Sequence, residues 1–216
     1  MVYCVCKHNT TTTACGRHGG FYMDFGIALK RIPGTILDRE KMGGATGIEF
    51  LNKIFYITDG IMLAQIREIA GVDGTTLQNW LKRGWVINPK NKMYNKDQLA
   101  RILIINMMRN TMQLSDISFL LTYVNGDPGC REDDIIPESQ LYDYICRLVD
   151  KLTGENADLP QDSLAELIDT YTADYVETLG GARRRLNRAL EIILMSYYAN
   201  TLKLRADALV HALRER

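Results

Sequence analysis

The stretch Leu63–Val86 constrains this chain most, because it reads as two short helices joined by a turn that neither can continue through. Leu63, Ile66, Ile69 and Ala70 recur at helical spacing. Gly71 breaks the pattern. Asp73 then offers a carboxylate to the free amides of a following first turn. The spacing predicts the second helix over 74–83. Leu77, Trp80 and Leu81 fall at i, i+3 and i+4 and share a face, while Thr75, Thr76, Gln78, Asn79, Lys82 and Arg83 cover the remainder. One side of this helix is built to pack and the other to meet something polar or charged.

The elements beyond it follow from the same reasoning. Gly84 ends the helix. The β-prone run Trp85-Val86-Ile87, the basic turn Asn88–Lys92 and the returning Met93-Tyr94 predict a small β-hairpin, or wing. Asn95 with Gln98 three residues later has the form of a capping box and starts a helix over 96–109, with Leu99, Ile102, Leu103, Ile105 and Met108 apolar. Leu114, Ile117, Leu120 and Leu121 mark another helix that stops near Asn125-Gly126. After an Asp-, Pro- and Gly-rich loop, Leu141, Ile145, Leu148, Val149 and Leu152 mark one more. A boundary is expected over 153–160. Two helices then remain: one with Leu164, Leu167, Ile168, Tyr171 and Leu179, and, after Gly180-Gly181, a long one over 182–214. Residues 1–48 are glycine-punctuated and read as irregular, with one helix over 46–56 presenting Ile48, Leu51 and Phe55. The expected fold is mainly α with a small β-hairpin wing and C-terminal helices. It divides into an irregular N-terminal extension (1–50), a domain with its following loop and helix (55–152) and a C-terminal helical region (158–216).

Charge is divided along the chain although it sums to zero: residues 75–110 carry seven basic and one acidic side chain, and residues 111–178 carry three basic and fifteen acidic. A compact basic segment holding the predicted polar helix face is an electrostatic footprint for a polyanion. No apolar run reaches the length of a membrane span, and the polar stretch His8–Thr13 stands where a secretory signal would need an apolar core. Five cysteines (Cys4, Cys6, Cys15, Cys130, Cys146), odd in number and irregular in spacing, make a poor disulfide framework and fit a reducing, cytoplasmic compartment.

Enzymatic chemistry finds no footing. His211 has no nucleophile beside it, and Gly43-Gly44-Ala45-Thr46-Gly47 lacks the Lys-Ser/Thr ending of a phosphate-binding loop. Cys4, Cys6, His8, Cys15 and His18 form a loose Cys/His group, but the single residue between Cys4 and Cys6 is too short for paired zinc ligands, so no metal is expected. Asp127, Glu132, Asp133 and Asp134 lack calcium-loop spacing and read as a solvated acidic loop. No cofactor is expected, and no motif points to a small-molecule effector.

The run Leu63–Val86, with its helix, Gly-Val turn, Thr-Leu helix, aromatic residue, Arg-Gly and two apolar residues, resembles the start of MerR-type regulators. Pro89…Lys92-Met93-Tyr94, the helix over 96–109 and Leu114-Ser115-Asp116-Ile117…Leu120-Leu121 follow in that family's order. More narrowly, Leu99–Asn106 and the pattern Asn125-Gly126-Asp127…Asp133-Asp134-Ile135-Ile136…Leu141-Tyr142 resemble a MerR-related bacterial group known as domain-of-unknown-function family 1836. The resemblance covers about residues 55–152. It implies a winged helix-turn-helix that binds double-stranded DNA. The sequence departs from the MerR pattern at Gln78 and Asn79, where an Arg-Tyr pair usually grips phosphate, and in a shorter wing without the usual Tyr-Arg pair.

In such a domain the second helix enters the major groove by its N-terminal half. Thr75, Thr76, Gln78 and Asn79 would then lie nearest the bases, where a Gln or Asn amide can bond adenine bidentately and a Thr methyl can meet thymine. Lys82, Arg83, Lys90 and Lys92 would lie nearer phosphates and set register. The expected function is sequence-specific transcriptional control; the alternative is a protein-interaction module using the same face. Two readings of the last helix stand side by side. Leu186, Leu190, Ile193, Tyr197 and Leu204 form a seam for homodimerisation, as the MerR resemblance implies, or they pack on the chain's own Leu164–Leu179. Asn200, Asp207 and His211 interrupt that seam, and Arg183, Arg184, Arg185 and Arg188 at its start read as a solvated helix end.

Overall fold

The computed structural model describes residues 30–130, 132–153 and 161–215. Among these the chain is mainly helical, with α1 (Gly47–Ile54), α2 (Leu63–Ala70), α3 (Gly74–Lys82), α4 (Lys96–Met108), α5 (Leu114–Asn125), α6 (Glu138–Thr153), α7 (Gln161–Tyr171) and α8 (Ala182–Arg214). Its only β pairings among these residues are isolated antiparallel bridges.

Helix α4 is the centre, for a reason visible in its sequence. The run Leu99-Ala100-Arg101-Ile102-Leu103-Ile104-Ile105 has no continuous polar stripe, and a helix apolar all round must be covered all round. Leu99, Ile102, Leu103 and Ile104 are accordingly inaccessible to solvent. Helix α6 packs along α4 and is covered in turn by α1, while α8 lies against α4, α5, α6 and α7. A single apolar cluster runs from Ile32 to Tyr198. Residues 30–46 join it. Ile32 and Ala45 are buried, and Arg39 makes a two-pronged ion pair with Asp150 of α6 at 2.7 and 2.8 Å. No helix among the described residues is long and apolar enough to cross a membrane.

Several elements differ from expectation. Helix α2 starts at Leu63, and Ile61 just before it is drawn into an antiparallel bridge with Tyr94. The predicted pairing of Trp85-Val86-Ile87 with Met93-Tyr94 does not form. Val86 instead drops its side chain into the core. The carbonyls of Trp85, Ile87 and Asn88 accept from the Arg101 and Gln98 side chains of α4, which removes the need for a partner strand. The turn itself remains: Lys90 bridges Met93 around Asn91 and Lys92, both at positive φ (53° and 63°), as a tight primed turn requires. In α1 the buried residues are Gly47, Phe50 and Leu51; Ile48 and, just past the helix end, Phe55 are half-buried. Helix α7 stops at Tyr171, so Leu179 is not part of it; the Thr172 amide and hydroxyl both bond the Ile168 carbonyl, and Tyr175 turns back into the core.

The long last helix divides in two. Leu186, Leu190, Ile193 and Tyr197 of the predicted seam are buried against the chain's own helices, so this seam serves intramolecular packing. Leu204, its fifth member, is exposed, as is every described residue from Leu202 onward. Helix α6 ends at Thr153; the predicted boundary lies almost entirely outside the described residues.

Candidate nucleic-acid interface

The turn from α2 into α3 is built by a handful of contacts. Gly71 ends α2 in the left-handed conformation (φ 66°), and a side chain there would meet Ile36 at 2.5 Å, so only glycine fits. Val72 is buried beside it. Asp73 caps α3 as its position predicts: the carboxylate accepts the Thr76 amide at 2.8 Å and the Thr76 hydroxyl at 2.5 Å. The Thr76 hydroxyl and amide hold the Asp73 carboxyl below the usual carboxylate range. Leu77 and Trp80 then anchor α3 in the core.

What remains outward is one arc. At 100° per residue, Thr75, Gln78, Asn79 and Lys82 lie within about a third of the helix circumference, and all four are exposed. Arg83 follows, exposed, its guanidinium 5.2 Å over the Trp85 ring. Thr76 differs from its predicted companions: it is half-buried and its hydroxyl is committed to the cap. Lys90 and Lys92 are exposed on the tight turn.

The turn and α3 are tied to the same short segment. Ile61 and Tyr94 exchange two backbone hydrogen bonds, at 2.9 and 2.8 Å, which fixes the turn against the residue two before α2 begins. Gly74, the first residue of α3, lies against Leu63. The Lys90–Met93 turn and the N-terminus of α3 thus flank Met62, which is exposed. The chain between them is held from behind. Arg101 Nε donates to the Trp85 carbonyl at 2.6 Å, and its guanidinium pairs with Glu138 of α6 at 3.2 Å, with both side chains almost wholly buried. Gln98 closes the Asn95 capping box and donates to the Ile87 and Asn88 carbonyls. Asn106 donates to the Ala70 carbonyl at the end of α2 and to Gly34.

Sequence patterns missed Gln98, Arg101 and Asn106 as site-builders. Their signal was present as three polar residues in a run, 98–108, that is otherwise apolar on every side, so each must find a partner. Patterns also missed two exposed apolar side chains. Tyr56 and Ile57, in the loop before the Ile61 bridge, are 86% and 89% exposed.

The other candidate groups are dispersed. Cys4, Cys6, His8, Cys15 and His18 lie outside the described residues. Among the described residues no group of three or more His, Cys, Asp or Glu side chains comes together to hold a metal. His211 is exposed and pairs with Glu215 one turn on. Of the arginines opening α8, Arg183 bonds the carbonyls of Thr172 and Tyr175, Arg185 those of Tyr123 and Val124, and Arg188 pairs with Glu191.

Residues 50–145 match the family described as Domain of unknown function (DUF1836). The matched stretch runs from within α1 to within α6. It therefore takes in α2, α3, the basic turn, α4 with its three polar anchors, and α5. No curated protein and no solved structure matches the chain.

Proposed function

We propose that this protein is a sequence-specific double-stranded-DNA-binding transcriptional regulator, not an enzyme, and that it acts as a homodimer through a MerR-like helix-turn-helix in which α3 enters the major groove. The observation that carries this reading is the outward arc of α3. Gln78 and Asn79, two amides able to bond a base edge bidentately, stand exposed between Thr75 and Lys82 on a helix whose opposite face is locked by Leu77 and Trp80. Lys82 within that arc, Arg83 just after it, and Lys90 and Lys92 on the exposed turn supply phosphate contacts. The α3 amide end also points its partial positive charge outward, though Asp73 occupies part of it.

The titration of pooled random duplexes at two salt concentrations tests this reading. Four phosphate contacts per protomer, eight per homodimer, give a slope of roughly −7 in log affinity against log salt, a loss on the order of 10,000-fold between 50 and 200 mM. Lys82→Ala/Arg83→Ala, present in both protomers, should reduce that slope by about four. A folded protein that binds no duplex at low salt would sink the proposal.

A second reading has its own observation. Tyr56, Ile57 and Met62, which precede α2, are large apolar side chains exposed to solvent, which suits a protein partner better than a phosphate backbone. Capture of a partner that survives Lys82→Ala/Arg83→Ala but fails on Tyr56→Ala/Ile57→Ser would favour it.

A further inference from the structure

Between α7 and the start of α8 lies a cleft of about 600 Å³, a size at which small organic ligands are held. Two of its walls are single helix faces. Ile168 and Asp169 line it from α7, and Arg184, Asn187 and Arg188, spaced i, i+3 and i+4, line it from α8. The segment joining the two helices closes a third side. Arg183 pins that segment by donating to the Thr172 and Tyr175 carbonyls at 2.8 and 2.6 Å. Asn187 ties the walls together: its amide donates to the Asp169 carboxylate and its oxygen accepts from the buried Thr172 hydroxyl at 3.2 Å. The walls are therefore held at a fixed spacing by bonds within the chain.

The cleft leaves one charge of each sign uncompensated. Arg184 makes no hydrogen bond or ion pair among the described residues. Arg188, one turn on, is offset by Glu191 at 2.7 Å, and Arg183 is spent on carbonyls. On the other wall Asp169 bonds the Asn187 amide and pairs with no cation among the described residues. The helix start adds to the positive side. Gly181 occupies the N-cap position at φ 81° and has no side chain to satisfy the free amides. The Arg184 amide accordingly meets no acceptor among the described residues. Asn187 stands one turn after Arg184 and touches Asp169, so the two open charges are separated by roughly 5 Å along α8.

We propose that this cleft binds a free α-amino acid, its carboxylate on Arg184 at the open start of α8 and its ammonium on Asp169. A zwitterion satisfies both open charges at once through charge-assisted hydrogen bonds. A simple anion would leave Asp169 unpaired, a simple cation would leave Arg184 unpaired, and a phosphate dianion would also face Glu177 and Glu191, which line the same cleft. The remaining volume, bordered by Ala165 and Ile168, takes the ligand's side chain. This site lies away from the α3 arc, so the assignment goes beyond DNA binding and stands or falls without it.

The test is the melting temperature of the full chain with each proteinogenic L-amino acid at about 5 mM. Acetate, methylamine and inorganic phosphate at the same concentration serve as single-charge and dianion probes. At least one amino acid should raise the Tm, by about 3–5 °C where its concentration is ten times Kd. The three other probes should leave it within about 1 °C. Calorimetric titration of the amino acid giving the largest shift should then show a Kd at least tenfold weaker for Arg184→Ala and for Asp169→Asn. Arg184 makes no bond to lose, and an asparagine at 169 still accepts from Asn187, so both ligand-free variants should melt with the wild type. Arg205→Ala, exposed and outside the cleft, should bind as the wild type does. A chain that no amino acid stabilises would overturn the proposal, as would binding unchanged in both cleft variants. A shift from acetate or phosphate as large as from any amino acid would reduce the cleft to an anion site and overturn the zwitterion assignment.

Discussion

Replacing Arg101 by methionine removes the buried cation that holds the candidate interface from behind. Among its contacts, Nε bonds the Trp85 carbonyl at 2.6 Å and Nη1 pairs with Glu138 at 3.2 Å. The Arg101 and Glu138 side chains are only 3% and 7% exposed, so water cannot take over either contact. Loss of one member of a buried pair costs about 3–5 kcal/mol, because the remaining charge stays in a poor dielectric. With a urea slope of about 2 kcal/mol per molar, the unfolding midpoint should fall by about 2 M. Trp80 and Trp85 flank the affected segment, so intrinsic fluorescence reports the transition. The double variant Arg101→Met/Glu138→Leu should recover most of the loss, since an apolar pair of similar volume is often as stable as the ion pair. A single variant that costs under about 1 kcal/mol, or a double variant as unstable as the single, would refute the argument that the ion pair is a buried lock.

Other perturbations follow from the same geometry. Gly34 has φ 76°, and a Cβ there would fall 2.5 Å from the Leu103 carbonyl oxygen; Gly34→Ala should destabilise the fold by about 2 kcal/mol or more, read by chemical denaturation. Asn95→Ala opens the capping box of α4 and should cost about 1 kcal/mol without changing affinity for DNA, since Asn95 faces the α4 start and not the α3 arc. Burial pushes the Tyr197 hydroxyl up to about 12 and raises the Tyr198 hydroxyl and the Cys146 thiol above their ordinary values. The unfolded chain releases these protons first, so the native state binds more of them at alkaline pH. Stability should therefore be level near pH 7–8, below the unfolded values, and fall through pH 9–12 by about 1.4 kcal/mol per pH unit for each group. A melting temperature unchanged up to pH 11 would contradict that burial.

The helices were legible wherever local chemistry set their ends. Asp73, Asn95 with Gln98, and Gly126 each act within one turn of the chain, and each helix starts or stops at these residues as read. The wing was not, because its pairing is decided at longer range. Trp85–Ile87 has strand propensity, but Arg101 and Gln98 compete for its carbonyls, and Tyr94 finds Ile61, thirty-odd positions earlier. The last helix was legible in extent but not in partner. Its apolar seam suits a second copy or the chain's own helices equally, and only the positions of α4, α5, α6 and α7 show that Leu186 to Tyr197 are spent inside the chain. Of the eight residues expected at the interface, seven are exposed. Thr76 lies half-buried in a cap that the Asp73 position implied but periodicity does not weigh.

The central claim is that the α3 arc reads sequence, and one comparison tests it directly: sequence selection from random duplexes by the wild-type protein and by Gln78→Ala/Asn79→Ala. The account predicts that the wild type enriches a defined site. It predicts that the variant, still folded and with its lysines and arginine intact, keeps salt-dependent affinity but loses the enrichment, each lost bidentate contact being worth about 1–3 kcal/mol of discrimination. A variant that enriches the same site as strongly as the wild type would contradict the claim.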